Sequence, residues 1–329
     1  MTTEIVLIGL DPVGASIGMA LGEAGLDAAR TGYDSDGATA RAARSLGAVD
    51  RLAFRPENAA RKADLVILNT SPQHVRAQIE SLSEALKPGA ILLDLTPLKT
   101  ETAAWALSVL PEERHYIGGA PVINPLRLHD SHQEWGTPRS DLFRGGLFAL
   151  MIPPKTSEKA MDTVLALVKV LGATPFFIEP AEVDAVSAVA DGLPALVGAA
   201  LMRVAIEAAG WHEIRRMAGR HFATATCVGA RPDSARLASV LRHNRQNMLV
   251  KLDDLLAELQ AFRMLIAQED EEALAERLAE ASEAFNNWRD DRQRSDWARE
   301  EKIGKLDFPK IGVAERLLGI HPLERKGRK

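Results

Sequence analysis

Residues 8–18, IGLDPVGASIG, constrain this chain more than any other stretch. An apolar run of strand length, Glu4 to Leu10, leads into them, and the small and apolar residues from Ala15 to Gly25 follow with the spacing of a helix packed on a sheet. A strand that passes through a glycine turn into a helix opens a βαβ unit. In a G-x-G-x-x-G turn, Gly9 and Gly14 take the first and third glycine places. The second place, where the backbone comes closest to a dinucleotide pyrophosphate, is Asp11.

Two readings of the turn stay open. In the first it binds a dinucleotide: the helix directs its free amides at a phosphate, and Asp34, in RTGYDSD, lies about 20 residues beyond the third glycine, where an acid accepts hydrogen bonds from a ribose. An acid there favours NAD over NADP. The expected cofactor contacts are Gly9, Asp11, Val13, Gly14, Asp34 and Thr70. In the second reading the two glycines only permit a tight turn. Asp11 favours it, because a carboxylate aimed at a pyrophosphate is repelled by roughly a kilocalorie or more, and Pro12 removes a backbone donor.

The first half continues as it begins. Apolar runs at Glu4 to Leu10, Ala29 to Tyr33, Leu65 to Asn69, Ile91 to Leu95, Tyr116 to Gly118, Leu147 to Ile152 and Pro175 to Ile178 alternate with helix-length segments. That spacing predicts parallel crossovers and a doubly wound sheet covered on both faces. From about Pro180 the pattern turns helical throughout, with long amphipathic helices predicted at Asn244 to Arg263 and Glu269 to Arg289. The fold class expected is α/β, an N-terminal Rossmann-like sheet over residues 1–180, followed by an all-α dimerisation domain over residues 181–329. Val183 to Ile206 is hydrophobic nearly all round and must be buried. A second copy of the chain is the simplest cover, so a homodimer is expected.

A length of 329 residues suits two such domains. A formal net charge of −5 gives no electrostatic footprint for nucleic acid. The single cysteine, Cys227, rules out an internal disulfide and fits a cytoplasmic protein. The first residues lack a basic n-region and carry Glu4, unlike a signal peptide. No apolar run reads as long enough to span a bilayer, so a membrane partner is not expected.

Taken in order, GLDPVGASIG, GYDSD, ADLVILNTSP, ILLDLTPLK, YIGGAPVINP, SDLFRGG, EVDAVSAVADGLPALVGAAL and RHNRQNMLVKLDDLLAEL resemble the prephenate and arogenate dehydrogenases of tyrosine biosynthesis over nearly the whole chain. The resemblance implies a Rossmann domain, a helical dimerisation domain, and hydride transfer from a cyclohexadienol to NAD or NADP with loss of carbon dioxide. It also implies groups that this chain lacks. The family's base is a histidine in G-G-H-P, where this chain has Ala120. A serine in D-x-x-S-x-K becomes Pro97, with Asp94 and Lys99 kept. The segment S-H-L-P-H lines up with DGLPA at residues 191–195, and a carboxylate-binding arginine falls at Cys227. Asn244 matches. The polar groups expected around the substrate are missing together, so the family's mechanism is not expected here.

Other residues are candidates for chemistry on a small-molecule ligand. Asp191, if buried beside a nicotinamide, is a proton donor, or else part of a helix-breaking Asp-Gly pair. His129 and His132, in NPLRLHDSHQEWGTPR, are replacement bases or parts of a solvated loop. They do not make a metal site without a third ligand in register, and no metal is expected. Lys99 is either close to the cofactor or a surface lysine opening a helix. Three functions follow: an NAD-dependent oxidoreductase of diverged specificity, a non-catalytic dimer serving as sensor or partner subunit, and a dehydrogenase of reduced efficiency relying on proximity alone.

Overall fold

The computed structural model describes residues 2–128, 130, 136–230 and 234–294. The chain divides into two compact units, one built on Met1–Glu179 and the other on Pro180–Arg292.

The first unit is an eight-stranded sheet in the order β3-β2-β1-β4-β5-β6-β7-β8. The strands are β1 (Thr3–Ile8), β2 (Ala28–Tyr33), β3 (Arg51–Leu52), β4 (Leu65–Leu68), β5 (Ile91–Asp94), β6 (His115–Pro121), β7 (Leu147–Met151) and β8 (Thr174–Phe177). Helices α1 (Pro12–Glu23), α2 (Gly37–Ser45), α3 (Pro56–Ala60), α4 (Pro72–Ala85), α5 (Thr100–Val109) and α6 (Glu158–Val170) complete it. Alternation of side chains across the pleat builds two cores from one set of strands. Ile5, Leu7, Leu65 and Ile67 face α1, α2 and α6, while Val6, Ile8, Val66 and Leu68 face α3, α4 and α5. This is why β1 and β4 read as unbroken apolar runs: both faces are covered.

One expectation is corrected. β6 and β7 pair antiparallel, with Gly118 opposite Met151 and Pro121 opposite Phe148. A crossover helix carries the chain back across the sheet. Between β6 and β7 the helical element among the described residues is a short 3₁₀ turn, Pro125–Arg127, too short to act as a crossover. β3 was not foreseen, because two residues at a sheet edge leave no periodic signal.

The second unit is helical: α7 (Pro180–Ser187), α8 (Leu193–Glu207), α9 (Trp211–Met217), α10 (Arg220–Cys227), α11 (Ser234–His243), α12 (Arg245–Ala267) and α13 (Glu271–Arg294). A π-turn over Ala188–Gly192 joins α7 to α8, with the Leu193 amide bonded five residues back to the Ala188 carbonyl. Asp191 and Gly192 therefore do not break the helix. The π-turn accommodates Pro194, which has no N–H to offer. Gly192 packs closely on α12: a Cβ there would lie 2.5 Å from Met248 Sδ and would make that side chain shift. The Asn244 side chain donates at 2.7 Å to the Asp184 carbonyl of α7, fixing α7 to the start of α12.

Because the helix runs through this point, the reading of apolar lengths is corrected too. Pro180–Glu207 is 28 residues long and, by length and composition alone, meets the requirement for crossing a membrane. Nor is it mostly buried in the single chain: 22% of its apolar window is. Val197, Leu201 and Val204 are all exposed and lie on one face, at helical spacings of four and three.

Candidate nucleotide site and the residues around it

The glycine turn lies between β1 and α1, beside the point where strand order reverses from β1 to β4. Open α/β sheets bind ligands at this position. Gly9 has φ +89°, and a Cβ on it would stand 1.8 Å from the Asn69 carbonyl oxygen. A Cβ on Gly14 would stand 2.0 Å from the Gly9 carbonyl oxygen. The first and third glycines of the turn are thus enforced by contact. They leave a cradle in which the first turn of α1 sits directly against the strand.

The second position is occupied by a working side chain. Asp11 is the N-cap of α1, and its Oδ1 accepts from the Val13 amide at 2.9 Å and the Gly14 amide at 3.2 Å. Across the crevice, Asn69 at the end of β4 donates its side-chain amide to the same oxygen at 2.6 Å. Asp11 therefore faces into the helix N-terminus, whose orphan amides it satisfies. Pro12 stands at the first helical position, where its missing N–H is no loss.

Asp34 follows β2 and ties it to the turn. Its Oδ2 accepts from the Leu10 amide at 2.7 Å and its Oδ1 from the Asp36 amide at 2.9 Å. Thr70 is half-buried just beyond β4. Gly9, Asp11, Val13, Gly14 and Asp34 are thus joined around one turn. Two further residues of this neighbourhood were missed by sequence reasoning. Asn69 ends an apolar run with a buried amide, which was the available signal. Ser16 is wholly buried; its hydroxyl donates to the Pro12 carbonyl at 2.5 Å and accepts from the Arg139 amide at 2.9 Å.

The loop holding Arg139 is braced by charge. Arg139 and Arg127 both pair with Asp141, at 3.0 and 2.7 Å, and the Arg139 hydrogen bond, followed by that of Arg127, holds the Asp141 carboxyl below its usual range. His129 and His132 lie outside the described residues.

Lys99 is 1% exposed, and its ammonium bonds the Asp94 carbonyl at 2.7 Å and the Asp94 carboxylate at 3.2 Å. Tyr116 donates to the same carboxylate at 2.9 Å, and the Thr96 amide to its other oxygen at 2.8 Å. The lysine is not a surface residue; it is the cation of a buried brace. Ala120, on β6 opposite Ala149, presents only a methyl group. Asp191 is exposed on the π-turn of the helical unit, and Cys227 is half-buried, its thiol donating to the Thr224 carbonyl. Among the described residues no group of three or more His, Cys, Asp or Glu is arranged to hold a metal.

Residues 17–176 match the model of the prephenate dehydrogenase nucleotide-binding domain, and residues 179–280 that of the prephenate dehydrogenase dimerization domain. The chain belongs to the prephenate dehydrogenase family. It is similar to a prephenate dehydrogenase of Bacillus subtilis, 26% identical over 279 residues that cover 83% of this chain and 73% of the relative. Among solved structures it resembles prephenate dehydrogenase from A. aeolicus in complex with hydroxyphenyl propionate and NAD+, at TM-score 0.76 and 22% identity over 87% of this chain and 98% of that one. It also resembles Synechocystis arogenate dehydrogenase, at TM-score 0.68 and 21% identity over 87% and 100%. As in the prephenate dehydrogenase family, a Rossmann-like nucleotide-binding domain precedes a helical one.

Proposed function

We propose that this protein is an NAD-binding homodimer of the prephenate dehydrogenase family that has lost the family's catalytic base and acts as a diverged oxidoreductase. The observation that carries the reading is Ala120. It stands on β6, in the segment where the family resemblance calls for a histidine, and its methyl group can take no proton. Pro97 and Cys227 stand where the resemblance calls for a serine and an arginine, so a different proton path is required.

The cofactor assignment rests on fit. The cradle that a Cβ would fill at Gly9 and Gly14 admits backbone close to a pyrophosphate, the Val13 and Gly14 amides now held by Asp11 are donors such an anion would take, and Asp34 follows β2 where ribose hydroxyls bind. Bound there, NAD supplies a hydride acceptor. Asp34 argues for NAD over NADP, because a 2′-phosphate would meet its charge. Asp191, His129 and His132 are the replacement groups in this reading. The homodimer is supported by the dimerization-domain match and by the apolar face of Pro180–Glu207, which a second copy would cover.

A non-catalytic dimer is the second reading, and Lys99 favours it: the candidate group nearest the family's D-x-x-S-x-K pattern is committed to Asp94 and withdrawn from any substrate. The experiment is an absorbance assay of NADH formation from NAD with prephenate and with arogenate, run beside an active family enzyme. No turnover of either substrate is expected. Turnover at the rate of the active enzyme would overturn both readings.

A further inference from the structure

We propose that Asp11 sets the affinity of this site by occupying the pyrophosphate subsite itself, as a built-in anion that a dinucleotide must displace. The inference rests on the NAD reading above and adds what governs binding.

A helix N-terminus offers an anion the amides that have no intrahelical partner. In α1 two of these, on Val13 and Gly14, are bonded to one oxygen of Asp11. An incoming phosphate oxygen needs the same donors, and it carries the same sign of charge as the group holding them. The two anions cannot share the seat, so binding is an exchange: the carboxylate leaves the amides and the phosphate replaces it.

Asn69 makes the exchange harder. Its side-chain amide holds Asp11 Oδ1 from the opposite wall of the crevice, and its backbone cannot drift, because its carbonyl oxygen lies against Gly9, the residue that makes the tight turn. Asn69 is 4% exposed, so its amide is a buried donor that loses this acceptor when Asp11 turns away. The clasp joins the β1–α1 turn to the end of β4, the two walls of the switch-point crevice. The seat is therefore closed by a specific pair. A glycine at position 11 leaves both amides free, and glycine is tolerated at an N-cap, so the variant retains the helix.

The test is calorimetric titration of the full chain with NAD for wild type, Asp11→Gly and Asp11→Asn, paired with thermal unfolding in the presence of inorganic pyrophosphate. Asp11→Asn keeps the size and the accepting oxygen but removes the charge. The expected result is NAD binding at least tenfold tighter in Asp11→Gly than in wild type, an intermediate affinity in Asp11→Asn, and stabilisation by pyrophosphate of the glycine variant alone. Equal NAD affinity in wild type and Asp11→Gly would overturn the proposal and leave the cofactor reading standing. If neither protein binds NAD, the cofactor reading fails and pyrophosphate decides. Selective stabilisation of Asp11→Gly sustains the built-in anion, and equal or absent stabilisation overturns it.

Discussion

Lys99 and Asp94 form an ion pair with almost no access to water: the ammonium lies 2.7 Å from the Asp94 carbonyl and 3.2 Å from its carboxylate, with the lysine side chain 1% and the aspartate side chain 0% exposed. Two charges held so far inside are stable together and costly apart. The pair fixes the turn that leaves β5, since the same carboxylate accepts from the Thr96 amide and from Tyr116 on β6.

Lys99→Met leaves the Asp94 charge buried without its cation, and removing one partner of such a pair costs about 3–5 kcal/mol. The prediction is a loss of that order in urea unfolding, with most of it recovered in the double variant Lys99→Met, Asp94→Asn. A Lys99→Met protein as stable as wild type would show that the ammonium is not a structural cation.

Acid should loosen the loop that rests on α1. The Asp141 carboxyl is held below its usual range by Arg139 and then Arg127, so its folded pKa is depressed relative to the unfolded chain. A depressed carboxyl contributes stability that is fully present above the unfolded value of about 3.9 and is lost as pH falls through the folded value. The pairs are partly exposed, and the effect is accordingly small, a few tenths of a kcal/mol to about 1. Unfolding measured between neutral pH and pH 3 should show a shallower acid dependence in Asp141→Asn than in wild type.

The exposed stripe of α8 should be an intersubunit surface. Val204 is 70% exposed in the single chain, and Val197 and Leu201 share its face. Placing a charge in an apolar contact leaves it desolvated and unpaired. Leu201→Glu with Val204→Glu is predicted to shift the protein from dimer toward monomer in sedimentation velocity at micromolar concentration. A wild type that sediments as a monomer would remove the assignment.

How much of this could be read beforehand follows from where the information lies. β1 and β4 were legible because strands buried on both faces are unbroken apolar runs, and Gly9 and Gly14 because strand, turn and helix follow one another. The direction of β7 was not, since spacing between strands is by itself silent on direction. Whether Asp191-Gly192 breaks the helix stayed open, because a π-turn has no sequence signature of its own. The neighbour that Gly192 packs against is Met248, more than fifty residues away. Asp11 was visible as an anomaly, but its meaning depended on a side-chain orientation set by Asn69, and that pairing exists only once β1 and β4 are adjacent.

In the reading proposed above, this chain keeps the family's nucleotide seat and fills it with Asp11. A crystal structure of the full chain at saturating NAD tests that most directly. The predicted result is a pyrophosphate within hydrogen-bond distance of the Val13 and Gly14 amides, with the Asp11 carboxylate turned away from both and from Asn69. Dinucleotide bound with its pyrophosphate away from those amides, or bound at the turn while Asp11 still holds them, would contradict it.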